Sequence, residues 1–280
     1  MVLIGYVLAG VCSGLLAGMF GVGGGMIIVP VLVYCFNTLG GIEAGTAMHL
    51  ALGTSLAVIV FTSINAVIAH HRRGAVEWGV LKGMTMGIAL GAIVGAAITS
   101  WLSGATLHII VGLFALTMAA QQARSALKGK RQRAENAAPY ALPSRTWQYG
   151  SGVLIGWASA LFGIGGGSLT VPLLTFKGLN MHRAVATSSA CGLVVALFGA
   201  VGNMAFGWGT SGLPPWSLGY VNLPALCGVA IASILSVHLG VNIAHRASGV
   251  QLKLGFSLLM ACVGTHFLYG SLWECVAAQA

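Results

Sequence analysis

Apolar stretches of about 19 to 24 residues recur along this chain, near 46–69, 79–101, 105–123, 184–206, 219–240 and 250–272. Each is long enough to cross roughly 30 Å of hydrocarbon as a helix, which rises about 1.5 Å per residue. A segment in lipid must satisfy its own backbone hydrogen bonds, so the pattern predicts an all-α membrane protein with six full spans. Composition agrees: 57% of the residues are hydrophobic and 6% are charged, too little polar surface to cover a water-soluble globule. The apolar stretch from Val2 has no basic residue ahead of it and no small-residue cleavage signal, so it is expected to stay in the mature chain.

The chain also repeats itself. FGVGGGMIIVPVL at 20–32 and FGIGGGSLTVPLL at 162–174 match at eight of thirteen positions. Further on, His49, Thr54 and Ser55 correspond to His182, Thr187 and Ser188, and Gly74 to Gly207. Between the copies lies a polar segment whose charges and prolines cannot cross a bilayer. The expected organisation is a first transmembrane repeat over 1–124, a basic cytoplasmic linker over 125–145 and a second repeat over 146–280. Each repeat has one glycine-interrupted stretch followed by three spans.

The interrupted stretches admit two architectures. If each crosses once, there are eight spans in two parallel sets of four, and Lys177, Arg183, Arg246 and Lys253 fall outside. If each is a re-entrant helical hairpin returning to its own side, each half crosses three times and the second is inverted. All thirteen Lys and Arg then lie inside. Positive residues concentrate in short cytoplasmic loops, so inversion is the expected fold, with the parallel eight-span arrangement as the alternative. The same rule assigns the basic linker to orientation, and this excludes nucleic acid as the partner of the +9 charge.

Inverted hairpins would bring both glycine tips to the midplane. Glycine permits φ > 0 and close backbone approach, and irregular backbone is tolerated at membrane depth only where it is buried or lines a cavity. A short helix starting after each tip, at Met26 and Ser168, would aim free N–H groups and the positive end of its dipole at one place, as an anion site requires. Pro30 and Pro172 fit within the first two turns of such helices. Broken helices at matching positions of inverted repeats point to a transporter's binding site. The alternative role for these glycines is close helix packing, and GLLAG at 14–18 is a GxxxG by itself. No Gly-Lys-Ser/Thr follows either copy, which excludes a phosphate-binding P-loop.

The repeated GxGGGxxxVPxL, the TS in each half, HHRRGAVEW after the second apolar segment and the basic linker resemble the sulfite exporter TauE/SafE family of anion transporters. The resemblance covers almost the whole chain. It implies movement of sulfite, sulfonates, thiosulfate or other sulfur-containing and organic anions across the cytoplasmic membrane. The expected substrate-binding residues are Gly23, Gly24, Gly25, Met26, Thr54 and Ser55 in the first half, and Gly165, Gly166, Gly167, Ser168, Thr187 and Ser188 in the second. Hydroxyls at such positions coordinate an oxyanion without a buried charge, although they also serve as interhelical or i−4 hydrogen bonds.

Asn65 and Asn203 read as structural donors. His49 and His182 read as interface residues, with proton coupling as the sharper alternative, and Cys191 as a small buried side chain. The six cysteines form no CxxC pair, so no metal site, no disulfide framework and no cofactor are expected. All four acidic residues lie in loops, linker or tail, which leaves no carboxylate for a buried proton relay. The partners expected are a small anion, the lipid bilayer of the inner membrane and, as an open option, further copies in a homo-oligomer. An anion channel and an intramembrane hydrolase remain as alternatives; the hydrolase would need a serine paired with a histidine, which the sequence does not establish.

Overall fold

The computed structural model describes residues 2–20, 25–127, 144–246 and 249–277. Ten α-helices follow one another among them: α1 (Val2–Phe20), α2 (Gly25–Tyr34), α3 (Ala44–Arg72), α4 (Trp78–Trp101), α5 (Gly104–Leu127), α6 (Arg145–Leu161), α7 (Gly167–Phe176), α8 (Met181–Phe206), α9 (Leu223–Arg246) and α10 (Gly249–Ala277). A π-helical turn, Cys35–Leu39, extends α2, and a two-residue antiparallel ribbon joins β1 (Ser217–Leu218) to β2 (Val221–Asn222) ahead of α9.

Four helices are long and apolar enough to cross a membrane among the described residues: Ala44–Arg72, Trp78–Trp101, Gly104–Arg124 and His182–Phe206. Helices α9 and α10 run for 24 and 29 residues and contain the shorter apolar stretches Leu223–Ser236 and Ser257–Tyr269. All six expected apolar segments therefore meet a helix. The fifth starts later than expected, because 219–222 belong to the turn and strand of the ribbon. There the Asn222 side chain accepts the Ala225 N–H at 3.0 Å and caps α9. Large side chains such as Leu90, Val94, Leu197, Val201 and Leu235 are exposed, as suits a lipid solvent.

The glycine-interrupted stretches fold back on themselves. Tyr6 near the start of α1 meets Phe36 beyond α2, ring centroids 5.8 Å apart and edge to face. The Cys35 thiol lies 3.8 Å from the Gly5 carbonyl oxygen. In the second half, Lys177 after α7 sits over the Trp147 ring at the start of α6, 4.9 Å from its centroid. One continuous helix broken at the glycines would hold Lys177 and Trp147 roughly 45 Å apart. Both pairs of arms are thus hairpins closed at the base.

Packing crosses between the halves. α1 runs along α9, α6 along α4, and α3 along α8, while α5 runs along α10. On α4, Gly83, Gly87, Gly91 and Gly95 recur every fourth residue and face α6; a methyl group at Gly87 or Gly91 would strike the carbonyl oxygen of Tyr149 or Val153. Gly152 and Gly156 face back, the Gly152 methyl position lying 2.6 Å from the Met84 carbonyl oxygen. Such small-residue stripes let helix backbones touch in lipid. Gly10 and Gly14 play the same part between α1 and α9.

Helix ends sort into two levels. Glu77 at the start of α4 meets Thr187 near the start of α8, Gly83 meets Gln148 of α6, and Lys177 meets Trp147. Arg72, Arg73, Lys82, Arg145, Lys177 and Arg183 therefore share one end, where Arg183 pairs with Glu77. At the other end Gly45 of α3 adjoins Gly104 of α5, and the start of α3 lies against Tyr220 and Asn203. The Trp101 and Trp208 rings at that end are exposed, as interfacial aromatics are.

Candidate functional site

The two hairpin tips meet. A methyl group on Gly25 would lie 2.7 Å from the Gly163 carbonyl oxygen and 3.0 Å from the Ile164 Cα, so only hydrogen fits between the tips there. Gly23 and Gly24 lie outside the described residues. In the second tip, Gly163 and Gly166 adopt φ of 66° and 70°, which turns the chain between α6 and α7. The Ile164 N–H closes this turn on the Ser159 carbonyl at 2.8 Å.

Gly166 is the N-cap of α7. Its carbonyl accepts the Leu169 and Thr170 N–H groups at 3.2 and 2.9 Å, so the N–H groups of Gly167 and Ser168 precede the first intrahelical bonds. They carry the positive end of the helix dipole. Gly165 seats the tip on α8, where a methyl at Gly192 would run into the Gly165 carbonyl oxygen.

In the recurring TS pairs the two threonines act alike and the two serines do not. Ser55 donates to the Gly163 carbonyl oxygen at 2.9 Å and ties α3 to the opposite tip. Thr54 accepts the Asn222 N–H at 3.0 Å, and Thr187 accepts the Glu77 N–H at 3.0 Å. Asn222 and Glu77 immediately precede α9 and α4, so each threonine receives an N-terminal N–H from the other half. Ser188 donates to Val185 of its own helix at 3.1 Å and stands beside the tip, 3.8 Å from a methyl position on Gly167.

Around the second tip the structure therefore gathers Gly25, Gly165, Gly166, Gly167, Ser55, Ser168 and Ser188, while Thr54 and Thr187 serve as joints between the halves. Met26 is buried on an apolar side of the tips. With Pro30, Phe114, Phe162, Ile164 and Met260 it lines a cavity of ≈ 10 Å³, room for about one water. The Phe114 and Phe162 rings stack there at 3.8 Å.

Sequence reasoning missed Ser159 and Thr170. Both are fully buried, and their hydroxyls, like that of Ser168, have no hydrogen-bond partner among the described residues. The Ser159 Oγ lies 3.6 Å from a methyl position on Gly166. The available signal was the difference between the repeats, since Ala17, Met26 and Ile28 occupy the places of Ser159, Ser168 and Thr170.

The recurring histidines are not equivalent. His49 is buried and stacks on Tyr220; its Nδ1 lies 2.8 Å from the Gly45 carbonyl oxygen, and its Nε2 lies 3.1 Å from those of both Thr99 and Leu102. It fastens α3 to the α4–α5 turn. His182 is exposed in the first turn of α8. Asn65 is exposed and donates to Phe61 at 3.4 Å, Asn203 is buried and donates to Gly199 at 2.8 Å, and Cys191 is core. Most of the basic linker, 128–143, lies outside the described residues. Among those residues no group of three or more His, Cys, Asp or Glu could hold a metal ion.

Residues 6–267 match the family described as Sulfite exporter TauE/SafE. A "probable membrane transporter protein" of Haemophilus influenzae is 33% identical over 259 residues, covering 92% of this chain and 95% of that one. A protein of Methanocaldococcus jannaschii with the same description is 29% identical over 266 residues, 94% of each chain. No solved structure matches the chain.

Proposed function

Because the chain belongs to the sulfite exporter TauE/SafE family, we propose that it carries a small anion, sulfite or another sulfur oxyanion such as an organosulfonate, across the cytoplasmic membrane. The protein is a membrane transporter and not an enzyme, as its family and relatives are described. In this reading the two hairpins are re-entrant, the repeats 1–124 and 146–280 are inverted, and transport proceeds by alternating access at a midplane site between them.

The contact of Gly25 with Gly163 and Ile164 carries the reading, because hairpins closed at opposite ends meet there at their glycine tips. Reciprocal packing supports it: each first hairpin arm lies on the other half's second span, α1 on α9 and α6 on α4. So do the matched joints, Thr54 to Asn222 and Thr187 to Glu77. The described Lys and Arg gathered at one end fit a cytoplasmic face. At the tips, the start of α7 offers N–H groups and a partial positive charge, which favour an anion without a buried cation to hold it too tightly for release.

Flux of sulfite, thiosulfate, sulfoacetate, sulfate and lactate into proteoliposomes tests the proposal. Saturable uptake of one or more sulfur oxyanions, with lactate slower, is the expected result. Flux that rises linearly with concentration would mark a channel, and preference for lactate would overturn the substrate class.

A further inference from the structure

The reading above leaves open which side chains face the anion, and the structure treats the two hairpins unequally. Hydroxyls on apolar helices normally bond to a carbonyl one turn back. Thr85 does so to Leu81 at 2.7 Å, Thr99 to Gly95 at 2.8 Å, Thr175 to Val171 at 2.9 Å and Ser189 to Val185 at 3.0 Å. Ser159, Ser168 and Thr170 depart from this habit, and their buried hydroxyls have no partner among the described residues. A buried polar group left unpaired is destabilising, so three of them around one helix start call for an occupant.

Their placement says what the occupant is. Ser159 is fully buried at the end of α6, and its Oγ is 3.6 Å from a methyl position on Gly166, the N-cap of α7. Val195 Cγ2 at 3.4 Å and Gly192 Cα at 3.7 Å are the other atoms nearest that methyl position, which is free because residue 166 has no side chain. Ser168 and Thr170 follow in the first turn of α7. Thr170 lies four residues beyond Gly166, and with Leu174 it makes up the buried face of the helix. Neutral donors thus converge with a helix N-terminus, an arrangement suited to oxygen acceptors bearing negative charge. In the first hairpin the corresponding residues are Ala17, Met26 and Ile28, whose side chains cannot donate.

We propose that the second hairpin alone supplies the side chains that recognise the transported anion: Ser159, Thr170 and the first N–H groups of α7 bind a small oxyanion, and the first hairpin, with Ala17, Met26 and Ile28 at the matching positions, adds no hydroxyl. The site is one-sided even though the fold repeats. The proposal rests on the transport reading and adds the residues that discriminate.

The test uses the full chain, in detergent and in proteoliposomes, with sulfite and thiosulfate as probes. Ser159→Ala and Thr170→Val should each raise the KM for transport roughly ten- to a hundredfold, the loss of one hydrogen bond to a charged group, and should remove the rise in Tm that the anion induces in the wild-type chain. The anion-free Tm should not fall, because neither hydroxyl has a partner among the described residues to lose. Thr175→Val, in the same helix but with its hydroxyl bonded to Val171, should keep the wild-type KM. Wild-type KM in both site variants would overturn this assignment alone. A fall in anion-free Tm that tracks the loss of transport would also overturn it, by giving the hydroxyls to the fold. Absence of any flux or thermal shift in the wild-type chain would overturn the transport reading and the assignment with it.

Discussion

The Ser55 hydroxyl of α3 donates to the Gly163 carbonyl oxygen at 2.9 Å, joining residues 108 positions apart. The bond holds the turn of the second hairpin against a span of the first half, where Ser55 is fully buried. Ser55→Ala would take this donor from a buried carbonyl in an apolar setting, at a cost of about 1–3 kcal/mol. Ser188, its counterpart in the repeat, bonds only within its own helix, and Ser188→Ala should cost a few tenths of that. Thermal unfolding in detergent should show Ser55→Ala melting several degrees below Ser188→Ala. Equal melting temperatures would mean that the bond does not hold the tip.

The different fates of Ser55 and Ser188 show where sequence reading stops. Spans were legible because about twenty apolar residues cannot do much else, and tips were legible because glycine runs with a proline at fixed distance recur. The hairpin form was read from counting Lys and Arg, and Lys177 over Trp147 at the base of the second pair of arms supports it. Hydrogen-bond partners were not legible, since nothing in the sequence says that Thr54 and Thr187 receive the N–H groups ahead of α9 and α4. Ser159 and Thr170 looked ordinary because the repeat drew attention to positions that match, while these two differ between copies. His49 and His182 match in sequence, yet one is wedged between helices and the other is exposed.

Two glycines at the tips should resist substitution for different reasons. At Gly25 the limit is space, since a methyl would sit 2.7 Å from the Gly163 oxygen. At Gly166 the limit is conformation, because φ of 70° costs a side-chain-bearing residue about 1–2 kcal/mol. Gly25→Ala and Gly166→Ala should both depress transport. Gly41, with φ of 61° but nothing within 4 Å, is the control for strain alone, and Gly41→Ala should lose stability without losing transport. Transport by Gly25→Ala at the wild-type rate would show that the tips separate in the working protein.

Sorting of the cations fixes an orientation. With the native cysteines replaced, a single cysteine at Thr146, beside Arg145 and exposed, should be protected from an impermeant maleimide in intact cells. One at Ser211, exposed in the loop that follows α8, should label from outside. The reverse pattern would invert the protein in the membrane. Protection at both sites would restore the arrangement in which the second hairpin crosses the bilayer.

The matched joints make the last prediction. Thr54 and Thr187 each accept a backbone N–H from the residue ahead of a helix in the other half, at 3.0 Å, and both are fully buried. Valine keeps the shape of threonine but cannot accept, so Thr54→Val and Thr187→Val should each destabilise the protein by about 1–3 kcal/mol. Serine keeps the oxygen and should recover most of that loss. The two joints share no partner, so the losses should add to within about 0.5 kcal/mol in the double variant. The Glu77–Arg183 pair beside the second joint is worth much less: the Arg183 side chain is 54% exposed, and Glu77→Gln should cost under about 1 kcal/mol. With the anion held by the second hairpin and each threonine oxygen serving a helix start, the KM for the anion should stay within about twofold of wild type in either valine variant, against the tenfold or larger rise that losing a donated hydrogen bond to the anion would bring. A large rise in KM with an unchanged melting temperature would return Thr54 and Thr187 to the anion's own shell and make the site two-sided.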